Sequence, residues 1–97
     1  MSRILIVDDE TAILNTLEIL LRGEDFEVAT ARSGAEALEL FEDVEPDLVL
    51  SDIRMPGLSG IELLTAIRQH DADLPVILMT AQASLQSAIQ AVNQGAF

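Results

Sequence analysis

Short apolar runs alternate with helical patterns along this chain, and the alternation narrows the fold more than any other feature. Runs at residues 3–7, 27–31, 47–51 and 75–80 have the length and composition of strands. Between them, apolar residues recur at the spacing of amphipathic helices. The first helix is expected over residues 11–22, with Leu14, Leu17, Leu20 and Leu21 on one face. Its first turn reads as acidic and Gly23 as its stop. The second begins at "SGAE", where Ser33 caps and Glu36 follows three residues on; Ala37, Leu38, Phe41 and Val44 face inward and Pro46 ends it. "SGIE" repeats the device with Ser59 and Glu62, ahead of an inward face of Ile61, Leu64 and Ile67. A fourth helix is expected over residues 84–93, with Leu85, Ala88, Ile89 and Val92 inward and Gly95 as its stop.

Strands that alternate with helices make a parallel sheet covered by helices, joined by right-handed crossovers. "EVATA", with Glu27 and Thr30 among small residues, reads as an edge strand. "ILIV" and "LVL" read as central strands. The order 2-1-3-4 follows, a flavodoxin-like doubly wound α/β sheet of four β-α units in which the chain reverses direction between strands one and three. "PVILMT" is as apolar as the central strands, yet no fifth strand pattern follows it. Such a strand is hazardous at an edge. The expectation is a chain that stops early, a single truncated domain over residues 1–97, which self-associates through the fourth strand or the helices.

Seventeen Asp and Glu stand against five Arg, there is no lysine, and the formal net charge is -12. That balance disfavours nucleic acid and anionic membrane as direct partners. No run approaches the ~20 apolar residues that cross a bilayer. Cysteine is absent, which removes disulfides and thiolate metal sites and fits a cytoplasmic location.

The first strand runs straight into Asp8, Asp9 and Glu10. Adjacent like charges at the end of a buried strand repel and push carboxylate pKa values upward, unless water or a cation intervenes. In open α/β sheets, ligands bind beyond the carboxyl ends of the strands at the switch point. Asp52 ends the third strand, so three carboxylates converge there. Oxygen donors without Cys suit a hard cation such as Mg²⁺. With its neighbours neutralised, Asp52 could attack phosphorus and carry an acyl phosphate. A second reading leaves Asp8 and Asp9 as solvated acids at a helix N-terminus. Thr80, at the end of the fourth strand, either reaches the same crevice or bonds local backbone. Ser51 reads as structural, "RMPG" as a turn with Pro56 second and Gly57 third, and His70 as surface.

"ILIVDDE", "VLSDIRMPGLSGIELL", "LPVILMTAQAS" and "AIQAVNQGAF" together resemble the receiver domain of bacterial two-component response regulators, in the style of nitrogen-regulation activators. The likeness covers the whole chain in order. It implies that Asp52 accepts a phosphoryl group from a histidine kinase, in a protein that also carries an output domain. It further implies Mg²⁺ bound by Asp9 directly, Asp8 through water, and Asp52, with the Arg54 backbone carbonyl completing the protein ligands. Thr80 would turn toward the phosphoryl group, and small Ala81 would leave it room. Receiver domains continue after "GAF" into a fifth strand with a lysine that contacts the phosphoryl oxygens, then a fifth helix. Neither follows here, so impaired phosphorylation is expected.

Two other classes stay open. One is an inert scaffold or self-assembling half-domain. The other is a Mg²⁺-dependent phosphohydrolase, which the adjacent acid pair and the missing lysine argue against. Nucleotide or flavin binding is disfavoured because no Gly-rich phosphate loop follows the first strand.

Overall fold

A computed structural model describes residues 2–55 and 57–79. The elements run β1 (Arg3–Val7), α1 (Thr11–Gly23), β2 (Glu27–Ala31), α2 (Gly34–Val44), β3 (Leu48–Asp52), α3 (Gly60–His70) and β4 (Val76–Met79). The strands form one parallel sheet in the order β2-β1-β3-β4, as the sequence implies. The fourth expected helix, Thr80 and Ala81 lie outside the described residues.

Strand periodicity sorts the side chains into two apolar layers. Leu5, Val7, Val49 and Val76 point to one face, where they meet Ala37 of α2 and Leu63, Leu64 and Ile67 of α3. Ile4, Ile6 and Val28 point to the other face and pack with Leu14 of α1, flanked by Leu17, Leu21, Leu48 and Leu50. The first crossover therefore covers one face and the next two the other, which is the reversal expected between β1 and β3.

Several local expectations are corrected. Leu20 is 61% exposed rather than inward. It stands about 120° around α1 from the buried Leu14, at 100° per residue, while Leu17 and Leu21 keep closer to the buried line. Leu63, which the expected α3 face omitted, is fully buried. The acids preceding α1 lie before its first turn, which contains none, and Glu10 occupies the cap without a side-chain bond. Gly23 is the last residue of α1, but the left-handed residue after the helix is Asp25, at φ 68°.

The two capping boxes also differ. Ser59 accepts from the Glu62 N–H at 3.2 Å while Glu62 accepts from the Ser59 N–H at 3.1 Å, a complete box. At α2, Ser33 accepts from the Glu36 N–H, but the Glu36 carboxylate accepts from the Arg32 N–H instead. α2 ends at Glu45 in the left-handed region, whose N–H donates to the Phe41 carbonyl. The C-terminal end of β1 is held on its β2 side by the Asp8 N–H, which donates to the Ala31 carbonyl at 3.1 Å.

Candidate metal centre

Register and pleat bring the acids together. Val7 pairs with Ser51, so the next residue on each strand, Asp8 and Asp52, stands side by side at the carboxyl edge. Asp8 follows Ile4 and Ile6 in period-two sequence, and Asp52 follows Leu48 and Leu50. Both therefore belong to the α1 side of the sheet, whereas Ser51 alternates away, fully buried, and donates to the Asp52 carbonyl. Asp9 extends from the β1–α1 turn. Carboxylate oxygens of Asp8, Asp9 and Asp52 all lie within 4.8 Å of one another.

These three groups differ in environment. Asp8 is 2% exposed, Asp52 is half-buried and Asp9 is exposed. Burial pushes the Asp8 carboxyl above its ordinary value. The Glu10 N–H, which donates to Asp8 Oδ1 at 2.9 Å, pulls the other way, and the negative charges of Asp52, Asp9 and Glu10 push it up again. Asp52 is steadied from its own loop by the Arg54 N–H, which donates to Oδ1 at 3.2 Å.

A divalent cation relieves both penalties on Asp8, the desolvation and the repulsion. Three hard oxygen donors, gathered within reach of one small ion, suit Mg²⁺. The donor set fits the ion.

Gly60 fixes the Asp52 loop, and sequence reading assigned it nothing beyond a place in the cap pattern. A Cβ there would stand 2.1 Å from the Asp52 carbonyl oxygen and 2.8 Å from Ile53 Cα, both backbone atoms. The Gly60 N–H donates to the Ile53 carbonyl at 2.9 Å. The first residue of α3 thus rests directly on the backbone of the phosphoacceptor candidate. Gly57 has φ 77°, as the third residue of the expected turn requires. Met55 is buried in the α2–α3 layer. His70 is exposed, as expected, with its ring 6.1 Å from that of Phe41.

An open parallel sheet with an acidic, cation-ready crevice at its switch point defines a flavodoxin-like α/β domain whose working end is the carboxyl edge of β1 and β3. Within that class, the chain belongs to the response regulator receiver domain family of two-component signalling, which matches residues 4–97. It is 47% identical over 96 residues to the regulatory protein AtoC of Escherichia coli, covering 99% of this chain and 21% of AtoC. It is also 47% identical over 92 residues to the DNA-binding transcriptional regulator NtrC of Escherichia coli, covering 95% of this chain and 20% of NtrC. The chain thus spans about a fifth of the length of these relatives. Among solved structures, chemotaxis protein CheY4 of Vibrio cholerae superposes with a TM-score of 0.94 at 30% identity, covering 99% of this chain and 82% of that one. Response regulator protein TrrA of Thermotoga maritima, solved in complex with Mg²⁺-BeF, gives 0.89 at 41% identity, covering 99% and 84%. No helix among the described residues is long and apolar enough to cross a membrane.

Proposed function

We propose that this domain accepts a phosphoryl group on Asp52 from a histidine kinase and passes the signal to an output domain that regulates transcription. The single observation that carries the reading is the meeting of Asp8, Asp9 and Asp52 at the switch point of the sheet. Asp9 and Asp52, with the Arg54 carbonyl, would hold Mg²⁺ directly, and Asp8 through water. Bound there, the ion supplies charge neutralisation for the transferring group. An Asp52 carboxylate oxygen attacks phosphorus, the bond from phosphorus to the donor histidine nitrogen breaks, and an acyl phosphate remains on Asp52. The Arg54 N–H, already donating to Asp52 Oδ1, orients the nucleophile. Thr80 would donate to a phosphoryl oxygen, with Ala81 leaving space.

Self-association through β4 or the helices is a further part of the proposal, supported by Ile19 and Leu20, which stand exposed on α1. A sharp monomer peak by light scattering at micromolar concentration would overturn that part.

Incubation with Mg²⁺ and acetyl phosphate tests the main reading. A base-labile, hydroxylamine-sensitive adduct mapped to Asp52, absent in Asp52→Asn, is the expected result. Steady turnover of phosphate esters would favour the hydrolase, and no adduct with intact folding and Mg²⁺ binding would favour the inert scaffold.

A further inference from the structure

Among the described residues, one side chain from another element bonds to the outer edge of β2. In a parallel strand, successive residues turn their backbone groups to opposite sides. The Glu27 N–H donates to the Ser2 carbonyl and the Ala31 carbonyl accepts from Asp8, so these residues face β1. Val28 and Thr30 therefore turn N–H and C=O outward, at the end of the described sheet order. "EVATA" has a β-branched residue at each outward position, pairs with β1 in an unbroken five-residue register, and contains no proline. Edges are ordinarily blunted by lysine, proline or a bulge. Here Glu27 is already tied to Arg3 at 3.0 Å, and lysine is absent from the chain.

Arg22 makes that contact from outside the strand. From the last turn of α1 its NH2 group reaches across to donate to the Val28 carbonyl at 3.1 Å. Glu18, one turn earlier, fixes the guanidinium through Nε and NH2, each at 3.0 Å. Beside this contact lies a cavity of about 490 Å³ lined by Arg22, Val28, Ala29 and Asp43 among others.

We propose that the β2 edge is a latent pairing surface for a second copy of this chain, and that Arg22, held by Glu18, keeps it shut. The strand is complementary to itself. In antiparallel pairing about a two-fold axis at Ala29, Val28 of each copy meets Thr30 of the other, and Glu27 falls opposite Ala31, so no like charges face each other. The guanidinium on the Val28 carbonyl occupies an acceptor that this pairing needs in both copies.

Arg22→Met, which keeps the aliphatic stem, tests the proposal. Light scattering should show the apparent mass rising with concentration toward about twice that of the unmodified chain under the same conditions. Amide exchange at Val28 and Thr30 should slow in parallel. Adding Thr30→Pro, which removes an outward N–H and no bond to β1, should return both the mass and the exchange at Val28 to those of the unmodified chain. Glu18→Gln, which frees the guanidinium, should show a weaker form of them and decides the matter if Arg22→Met does not fold. A variant mass equal to that of the unmodified chain, exchange at Val28 and Thr30 independent of concentration, or association that survives Thr30→Pro would overturn it.

Discussion

Replacing Gly60 with alanine puts one methyl group where the structure has backbone. The new Cβ would meet the Asp52 carbonyl oxygen at 2.1 Å, Ile53 Cα at 2.8 Å and the Asp52 carbonyl carbon at 2.9 Å. None of these can rotate away as a side chain does. The start of α3 must retreat by roughly 1 Å to reach ordinary contact, the kind of overpacking that costs about 1–3 kcal/mol. The retreat also stretches the Gly60 N–H bond to the Ile53 carbonyl, which contributes about 0.5–1.5 kcal/mol. Against this, alanine recovers up to about 1 kcal/mol of helix propensity and chain entropy. The expected net loss is about 2 kcal/mol, read as a lower urea midpoint with unchanged slope. Because the displaced atoms belong to Asp52, Mg²⁺ affinity should fall in the variant even under conditions where it is fully folded. Gly23→Ala is the matched control: its Cβ meets nothing within 4 Å and its φ is not positive, so that helix-end substitution should stabilise by up to about 1 kcal/mol. Gly60→Ala as stable as the unmodified chain, with Mg²⁺ affinity intact, would refute the reasoning.

Asp8→Asn should stabilise the metal-free fold at neutral pH and weaken Mg²⁺ binding, since burial and neighbouring acids disfavour the charged form and Asn keeps an acceptor for the Glu10 N–H. The folded Asp8 pKa is raised above its ordinary 3.8, so its destabilising effect is full above the raised value and fades as pH falls through it toward 3.8. The stability gap between the two proteins should therefore narrow over that acidic window in pH-dependent urea titrations. Mg²⁺ should raise the melting temperature of the unmodified chain, by about 2.7 kcal/mol of stabilisation at a hundred times Kd, and the gain should vanish in Asp52→Asn. Ser59→Ala removes one arm of the complete capping box and should cost about 1 kcal/mol by thermal denaturation, without shifting the Asp52 adduct to another residue.

Much of this molecule is legible in its residues because strand and helix periods act locally. The polarity of "EVATA" marks the edge strand, and the apolar runs give the sheet order. Period-two alternation already places Asp8 and Asp52 on one side of their strands, and register then makes them neighbours. Side-chain burial was less legible. Leu20 belongs to the apolar class yet stands in solvent, and Leu63 is buried because α3 packs on both the sheet and α2.

The two "SG" pairs show where local information ends. Ser33-Gly34 and Ser59-Gly60 both open their helices with a serine that accepts from the N–H of the glutamate three residues on, although only the second pair completes the box. Sequence determined that both helices start there, since capping is a matter of four consecutive residues. Only the tertiary structure decided that a Cβ at Gly34 would meet the side chain of Leu58, while one at Gly60 would meet the backbone that carries Asp52. The reason is distance along the chain: what a residue does to its own turn is written beside it, but which distant backbone it comes to rest against depends on how every layer of the sheet has packed.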